Sequence, residues 1–585
     1  MTYEPTGFAL QIFQTRHASH DKETWLEACE RVSLTVSNAE SGDARTTWKD
    51  KFFSALSNNL LMPGGRIWYG AGRARGQMLN CFVVGTSDSR EGWGKTVSDS
   101  IVISGTGGGV GLNCSPVRPR GSSINGTGGQ ATGAVSLMEI INATGEVIKA
   151  GGGRRTALML CLSLSHGDIA EFLDKKLDLK QLNNANISVV FDEDPEIFFK
   201  LVREGGEWPL MHQGRQVGSM PAKLLWERIV VNALSGGEPG ALNRHLANKM
   251  SNIWYIEELT STNPCGEIWM SPYDCCCLGA LVLPRFVVGG EVDWDMLKDT
   301  VKTGVRFLDN VLTVNEYPLA EIKAKCSQLR RIGLGITGLH HMLLELGLKY
   351  NSPAGLEFVD NLMKKIKNWS YEASSDLAAE KGAFPGFDAD KYLKGMFIKN
   401  LKPSLRSKIR KDGMRNCATM TIAPVGTGSI VCDVSSGIEP IFAPAHIRRF
   451  QTGTQTDGTK IFGTEELVDP MFQRFVEEGR DVTHFVGAHN LSIRDHMEMQ
   501  RVCQRHVDNA VSKTINVPHD TSTAELGDLM MEFFPDLKGL TVYPDGSREN
   551  QPLTPIPLER ALELAKTATA GVLSQDACRS GLCDT

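Results

Sequence analysis

Hydrophobic positions recur with two different periods along the 585-residue chain. In the first 60 residues Trp25, Leu26, Cys29 and Val32 follow the spacing of one helix face, which predicts a helical region. From about residue 60 to 520, short apolar runs typical of strands alternate with helical patterns, which predicts an α/β fold. The runs cover residues 81–84, 157–164, 187–191, 278–283, 332–336 and 418–422. The clearest helical patterns cover residues 226–234, 294–312 and 355–381.

The last segment of the chain has a different character. Residues 551–557 are proline-rich, and a short helical pattern then leads to Cys578 and Cys583. We therefore expect three parts: a helical region over 1–60, an α/β domain over 61–549, and a flexible tail over 550–585 that carries a cysteine pair.

Composition places the chain among ordinary globular proteins, with 22% charged and 41% hydrophobic residues. A net charge of -6 gives no sign of nucleic-acid binding. No signal peptide is visible, and no apolar run approaches the roughly 20 residues of a membrane helix. These features predict a cytoplasmic protein without a membrane partner. Fourteen cysteines in such a chain indicate thiol chemistry or metal binding rather than structural disulfides.

Glycine is frequent, with 59 residues, and it is clustered at 105–111, 126–129, 151–153 and 426–428. Glycine lets the backbone approach a ligand closely, so we interpret the clusters as ligand-lining loops, although flexible connections would have the same composition. None of them has the pattern of a Walker loop or of a dinucleotide-binding turn.

The most informative segment is Asn263-Pro264-Cys265-Gly266-Glu267, which has an amide, a thiol and a carboxylate on alternate residues. In an extended segment these three side chains would share one face. Cys276 follows eleven residues after Cys265, inside a run of three cysteines, and Cys81 lies far upstream. A thiol–disulfide oxidoreductase without radicals could use the same cysteines. A structural zinc protein is a weaker alternative, because the spacing offers no set of four Cys and His ligands.

Several further motifs accompany this segment in a specific order and spacing. They are PGGRI at 63–67, NCF at 80–82, GGGVG at 107–111, KAGGGRR at 149–155, NANIS at 184–188, RRIGLG at 330–335, PVGTGS at 424–429, SSGIEP at 435–440, DNAVSKTIN at 508–516 and TVYPDGSR at 541–548. Together they resemble the ribonucleotide reductases, and within them the adenosylcobalamin-dependent branch. A reductase that uses a separate radical-generating subunit is the alternative, but the adjacent tyrosine pair of that branch is absent from this sequence. The terminal glycyl-radical motif of the anaerobic branch is absent as well.

The resemblance implies a ten-stranded α/β barrel of two five-stranded halves, with Cys265 on a finger loop at its centre. It implies that Cys265 becomes a thiyl radical once adenosylcobalamin is bound, that Glu267 is a general base, and that Asn263 holds the ribose. It implies that Cys81 and Cys276 reduce the substrate and end as a disulfide. The Cys578 and Cys583 pair would then reduce that disulfide and be regenerated by a thioredoxin- or glutaredoxin-like protein.

The resemblance also implies binding sites for a ribonucleotide substrate and for a deoxynucleoside triphosphate effector. The substrate phosphates would be held by Pro424, Val425, Gly426, Thr427, Gly428 and Ser429, with Asn80, Gly109 and, less directly, the Arg66 loop beside them.

The effector would be held by Asp88 and Arg118 and would act through the loop at 149–155, which includes Arg154. Ala150 stands where the family usually has glutamine. A homodimer is expected, with no ATP-cone, no separate radical-generating subunit and no metal other than the cobalt of cobalamin. Whether the substrate is a diphosphate or a triphosphate stays open at this point.

Overall fold

The computed structural model of the chain describes residues 2–126, 128–148, 156–177, 181–454, 460–545, 553–567 and 569–571. The helices in these ranges, numbered in chain order, are α1 (Gly7–Arg16), α2 (Trp25–Ser37), α3 (Asp43–Ser57), α4 (Gly65–Gly70), α5 (Arg90–Gly105), α6 (Ala134–Val147), α7 (Ile169–Asp174), α8 (Pro195–Glu204), α9 (Ala222–Gly236), α10 (Arg244–Lys249), α11 (Trp294–Val314), α12 (Ala320–Leu329), α13 (Leu339–Glu345), α14 (Pro353–Lys381), α15 (Ala389–Tyr392), α16 (Met396–Lys399), α17 (Pro403–Asp412), α18 (Thr427–Val431), α19 (Pro470–Glu477), α20 (Ile493–Gln504), α21 (Thr523–Phe533) and α22 (Leu558–Leu564).

The strands of the same ranges are β1 (Leu61–Pro63), β2 (Cys81–Val84), β3 (Gly109–Asn113), β4 (Ser123–Ile124), β5 (Gly129–Gln130), β6 (Leu158–Ser163), β7 (Ala185–Phe191), β8 (Glu207–His212), β9 (Arg215–Pro221), β10 (Gly240–Asn243), β11 (Ser261–Thr262), β12 (Trp269–Met270), β13 (Cys275–Cys276), β14 (Leu278–Val282), β15 (Val287–Val288), β16 (Glu291–Val292), β17 (Gly333–Thr337), β18 (Ala445–Thr454), β19 (Lys460–Val468), β20 (Thr514–Val517), β21 (Gly539–Pro544), β22 (Leu553–Pro555) and β23 (Thr569–Ala570).

The N-terminal region is helical, as its spacing predicts. In α2 the side chains of Trp25, Cys29 and Val32 are buried, and Thr24 and Glu27 form a capping box at its start. The region is held against α11 by Arg306, whose guanidinium donates to both carboxylate oxygens of Glu40, at 2.7 and 2.8 Å. These hydrogen bonds contribute to a pKa of about 2 for Glu40, although burial acts in the opposite direction.

The largest sheet has the strand order β13-β2-β3-β6-β7-β10-β21-β20. Its five middle strands β2, β3, β6, β7 and β10 run parallel to one another. The edges change direction, because β13 is antiparallel to β2 and β21 is antiparallel to β10. Parallel strands need both faces covered, and the near-continuous burial of β6 and β7 agrees with that requirement.

A second sheet contains β1, β14 and β17, with β14 and β17 parallel. Its strand β14 follows β13 of the first sheet with only Cys277 between them. Five of the six predicted strand runs are strands of these two sheets. The sixth, 418–422, is not a regular strand and takes part only in isolated parallel bridges, Leu334 with Met420 and Ile422 with Val511.

The side chain of Asp508 explains this difference. Its carboxylate accepts hydrogen bonds from the backbone N–H groups of Thr419 and Met420, at 2.8 and 2.9 Å, in place of strand partners. The segment therefore lies between β17 and residues 510–511 without forming a complete ladder. Within the described ranges, no helix is both long and apolar enough to cross a membrane.

Candidate active site

The segment from Asn263 to Glu267 forms the tip of a short hairpin. Strands β11 and β12 pair antiparallel, and the backbone N–H of Gly266 donates to the carbonyl of Asn263 at 3.0 Å. Gly266 has φ of 78°, which an L side chain rarely adopts. The expectation of an extended segment with three side chains on one face is therefore wrong. Pro264, with its restricted φ, and Gly266 favour a turn instead.

The hairpin lies against strands of the first sheet. A Cβ atom on Gly111 would be 1.8 Å from the carbonyl oxygen of Thr262, so only glycine allows this approach. A Cβ atom on Gly109 would likewise come close to the ring of Pro264 and to the sulfur of Cys81. From β7, Asn186 donates to the carbonyl of Pro264 at 3.2 Å.

The opposite side of the hairpin contacts the segment bridged to β17. The carbonyl of Glu267 accepts from the backbone N–H of Ala510 at 2.8 Å and from the hydroxyl of Thr421 at 2.7 Å. Hydrogen bonds to the hairpin backbone from both sides therefore hold the tip in one position.

The three polar residues of the tip differ in exposure. Asn263 and Glu267 are buried, at 0% and 1% exposure, whereas Cys265 is exposed. Both polar atoms of the Asn263 amide have a partner: Oδ1 accepts from the backbone N–H of Ile268 at 3.1 Å, and Nδ2 donates to the sulfur of Cys81 at 3.4 Å. An amide has a second N–H and a second lone pair, so Asn263 can still bond to a ligand. The structure thus brings Asn263 to Cys81 and places Cys265 at the surface of the hairpin tip.

Cys81 and Cys276 lie directly opposite each other on β2 and β13. Residues paired in this way have Cα atoms about 4.5–5.5 Å apart, which is inside the range of a disulfide. Both thiols are free here. Burial raises the pKa of each thiol above its ordinary value, and the nearby charge of Glu267 raises both further. The pair can therefore deliver hydrogen atoms or protons and close as a disulfide with little backbone movement.

The two cysteines beside Cys276 have other neighbours. Cys275 lies opposite Phe82 in the ladder, and the Cys277 thiol donates to the carbonyl of Leu308 in α11 at 3.6 Å. Both are buried. The cysteines at 29, 114, 161, 326, 417, 432 and 503 are buried as well.

Residues 424–429, here called the phosphate loop, begin with Pro424 and Val425 and turn into α18 at Thr427. Gly426 has φ of 56°. The backbone N–H of Val425 donates to Ser436 Oγ at 3.1 Å, and the Ser429 hydroxyl donates to the carbonyl of Gly426 at 2.8 Å. In the described part of the chain, the N–H groups of Gly426 and Thr427 donate to no backbone carbonyl. Backbone N–H groups of this kind can bind an anion.

Other predicted residues are placed differently. Asp88 and Arg118 contact each other, with Nε of the guanidinium 2.8 Å from the carboxylate, so each neutralises the other in this structure. Arg66 is buried, and its guanidinium donates to the carbonyls of Thr106 and Gln77. Asn80 is half-buried and directly precedes β2. Its side chain lies close to Gly64: a Cβ atom added to that glycine would be 2.7 Å from Asn80 Oδ1.

Four of the predicted site residues fall outside the described ranges: Ala150, Arg154, Cys578 and Cys583. Among the residues that are described, no three or more His, Cys, Asp or Glu side chains are arranged to hold a metal ion. The sequence motifs indicate no role for Asn186 or Thr421, whose side chains donate hydrogen bonds to the hairpin backbone. The motif at 184–188 contains Asn186, but nothing in it indicates a bond to Pro264 across 78 residues.

Comparison with known proteins identifies the class to which this fold and hairpin belong. The family model described as "Ribonucleotide reductase, barrel domain" matches residues 79–543, and "Ribonucleotide reductase, all-alpha domain" matches residues 3–76. The chain belongs to the ribonucleotide reductase family. The α/β fold with a helical N-terminal region and the family resemblance are thereby confirmed.

Individual relatives are named more specifically. A "Vitamin B12-dependent ribonucleoside-diphosphate reductase" of Mycobacterium tuberculosis is 31% identical over 97% of this chain and 84% of its own length. A protein of the same name from Thermoplasma acidophilum is 34% identical over 86% of this chain and 66% of its own length. A "Ribonucleoside-diphosphate reductase subunit alpha" of Chlamydia pneumoniae is 27% identical over 73% of this chain and 46% of its own length.

Proposed function

We propose that this protein is an adenosylcobalamin-dependent ribonucleoside-diphosphate reductase. The observation that carries the proposal is the opposed, reduced Cys81 and Cys276 pair next to the buried Asn263 and Glu267 of the hairpin. The names of the relatives from Mycobacterium tuberculosis and Thermoplasma acidophilum support the cofactor and the diphosphate substrate.

The proposed architecture is a ten-stranded barrel. One half would be β2, β3, β6, β7 and β10, and the other would be β14, β17, 418–422, 511–517 and β21. The antiparallel pairs β13 with β2 and β21 with β10, together with the two isolated bridges, support closure between the halves. The hairpin with Cys265 would be the finger loop inside it. We divide the chain into parts at 1–60, 61–549 and 550–585, close to the family matches at 3–76 and 79–543.

A radical cofactor must reach the sulfur of Cys265, and the exposure of this thiol beside two buried polar side chains fits that requirement. Bound adenosylcobalamin would supply the radical by homolysis of its cobalt–carbon bond. The Cys265 thiyl then removes the 3'-hydrogen of the ribose. Glu267 accepts the proton of the 3'-hydroxyl, and Asn263 orients the sugar from its position beside Cys81.

The two opposed thiols complete the reduction. The 2'-hydroxyl leaves as water with a proton from one thiol, and Cys81 and Cys276 together give two electrons and become a disulfide. Cys265 returns its hydrogen to the 3'-carbon, so one ribonucleotide and two thiols give one deoxyribonucleotide, one disulfide and water. Cys578 and Cys583 would reopen the disulfide by exchange and be reduced by a thioredoxin- or glutaredoxin-like protein.

Substrate phosphates would bind at the phosphate loop, with Asn80 and Gly109 near the ribose. A deoxynucleoside triphosphate would bind at Asp88 and Arg118 after their ion pair opens, and would act through Ala150 and Arg154. The effector site is expected at a homodimer contact. Exposed apolar side chains on the packed helices α5 and α6 support such a contact: Ile101, Val102, Ile140 and Val147. No separate radical-generating subunit is proposed, and the cytoplasmic location stays a prediction.

The decisive experiment is to measure deoxynucleotide formation from ribonucleoside diphosphates and triphosphates, with and without added adenosylcobalamin. We expect product only with the cofactor, faster from diphosphates, and none from Cys265→Ser, which should still bind substrate. Product without cobalamin, or turnover by Cys265→Ser above a trace, would contradict the proposal.

A further inference from the structure

The N-terminal helical region contacts the phosphate loop and the end of α18, the helix into which the loop turns. The hydroxyl of Tyr3 donates to the carbonyl of Val431 at 2.5 Å, and the Cys432 thiol donates to Asn59 Oδ1 at 2.9 Å. His17 contacts the loop itself, with Nε2 3.0 Å from Thr427 Oγ1 across 410 residues of sequence. The loop is therefore supported by a part of the chain to which the reaction scheme above gives no role.

His17 is held firmly at this contact. The residue is only 1% exposed, and its ring packs edge-on against the ring of Trp68, with centroids 6.4 Å apart. Burial of a polar ring costs free energy unless its nitrogens are hydrogen-bonded, so the bond to Thr427 has a clear energetic reason.

The direction of this hydrogen bond decides what Thr427 can offer to a ligand. A threonine hydroxyl has one hydrogen to donate and can accept two hydrogen bonds. If the hydroxyl donated to His17, it would present only lone pairs to a phosphate and would repel it. If His17 Nε2–H donates, the hydroxyl hydrogen stays available for the phosphate. Thr427 is half-buried, so it keeps access to a ligand while bonded to His17.

We propose that His17 is a positioning residue for the substrate phosphate, which donates from Nε2 to Thr427 Oγ1 and so directs the threonine hydrogen to the phosphate of a nucleoside diphosphate. This inference rests on the proposed function, because it takes the phosphate loop as the substrate site. It extends that site into the N-terminal helical region, which contains His17.

The test compares KM and kcat for a ribonucleoside diphosphate, with adenosylcobalamin and a dithiol present, in His17→Phe, His17→Gln, Thr427→Ala and His17→Phe/Thr427→Ala. Phenylalanine keeps a ring against Trp68 and removes Nε2. Loss of one such hydrogen bond should raise KM roughly three- to tenfold with kcat nearly unchanged. Glutamine, which can still donate to Thr427, should restore most of the affinity.

The double variant separates positioning from general support. If His17 acts through Thr427, His17→Phe/Thr427→Ala should have the KM of Thr427→Ala alone. Multiplied effects in the double variant, or no rescue by glutamine, would overturn the inference. His20→Phe, a change at an exposed histidine of the same segment, is the matched control and should leave KM unchanged. If His17→Phe does not fold, as judged by thermal unfolding, His17→Leu takes its place in the same comparison.

The KM values distinguish the assignment of the phosphate site from the role of His17. A normal KM in Thr427→Ala would show that the loop does not hold the substrate phosphate, and the inference would fail with that assignment. A raised KM in Thr427→Ala with a normal KM in His17→Phe would keep the loop as the phosphate site and overturn only the role of His17.

Discussion

Cys276 owes its position opposite Cys81 to the register of β13 against β2. A shift of the register by one residue would place Cys275 or Cys277 opposite Cys81. It would also turn the side chains of β13 to the opposite face of the sheet. The three consecutive cysteines therefore differ in their partners: Cys276 faces Cys81, Cys275 faces Phe82, and Cys277 contacts Leu308 of α11.

We expect Cys276→Ser to prevent disulfide formation with Cys81, whereas the matched Cys275→Ser should leave it intact. After a single turnover without external reductant, in a Cys578→Ser/Cys583→Ser background that prevents exchange with the tail, Cys275→Ser should lose two free thiols, at Cys81 and Cys276. Cys276→Ser should lose neither. Differential alkylation followed by peptide mass mapping measures this. A disulfide between Cys81 and Cys275 in the unmodified protein would contradict the assignment.

Asp433 shows how one residue affects stability at different pH values. Burial raises the pKa of this carboxyl to about 6, although the Tyr3 hydroxyl, at 3.2 Å, and the Arg285 charge both lower it. Because the pKa is higher in the folded than in the unfolded chain, this carboxyl's contribution to stability is complete below about pH 4. It is lost as the pH rises through about 6.

Asp433→Asn should therefore stabilise the protein above pH 6, by about 1–3 kcal/mol, and change little below pH 4. Asparagine keeps an acceptor for Tyr3 and tolerates the left-handed backbone at this position, where φ is 54°. Thermal unfolding at pH 4 and pH 8 checks the difference. Lower stability of the variant at pH 8 would show that attraction to Arg285 outweighs burial.

Among the elements, the segment 418–422 depends most on a single side chain. Asp508 accepts from two backbone N–H groups of this segment and from the hydroxyl of Tyr371 at 2.6 Å. Lys538 donates to the carbonyls of Asp508 and Asn509, at 2.5 and 2.7 Å, and so fixes the backbone that carries Asp508.

Asp508→Ala would leave these three buried donors without their acceptor, and we expect a loss of roughly 3–5 kcal/mol in the free energy of unfolding. Asp508→Asn keeps one acceptor oxygen and should lose less. Urea unfolding of both variants measures the effect, with the exposed Asp528→Asn as control. A loss below about 1 kcal/mol in Asp508→Ala would show that another group holds the segment.

For the whole molecule, exposed apolar side chains on α5 and α6 indicate where a second copy would bind. Val147 is 77% exposed and Ile140 is 44% exposed, an unfavourable arrangement for apolar groups in water unless a partner covers them. Charged side chains introduced at the core of such a contact would have to be buried when the dimer forms, and the cost of removing them from water would oppose association.

We expect Ile140→Asp/Val147→Asp to raise the dissociation constant of the homodimer by roughly a hundredfold, about 2.7 kcal/mol. Analytical ultracentrifugation over a range of concentrations measures this constant. Val288→Asp, at a 62% exposed apolar residue of the β15–β16 hairpin, is the matched control. An unchanged dimer in the double variant, or a monomeric unmodified protein, would contradict the proposed contact.

Much of the architecture could be predicted because it depends on local patterns. The run 81–84 is β2, and the helical patterns at 294–312 and 355–381 lie within α11 and α14. Hydrophobic periodicity determines such elements, since it reflects which face of each helix or strand is buried. The order of the motifs was sufficient to indicate the family.

Other features depend on contacts between distant residues, and no local pattern carries them. The turn at Cys265, the irregular segment at 418–422 and the contact of His17 with Thr427 are of this kind. The sequence by itself determined most of the elements and the family, and it predicted the reactive residues. The tertiary structure alone decided that Cys276 faces Cys81, that Cys265 is exposed between buried Asn263 and Glu267, and that Asp88 pairs with Arg118. Register, burial and ion pairing arise only when segments tens to hundreds of residues apart pack together.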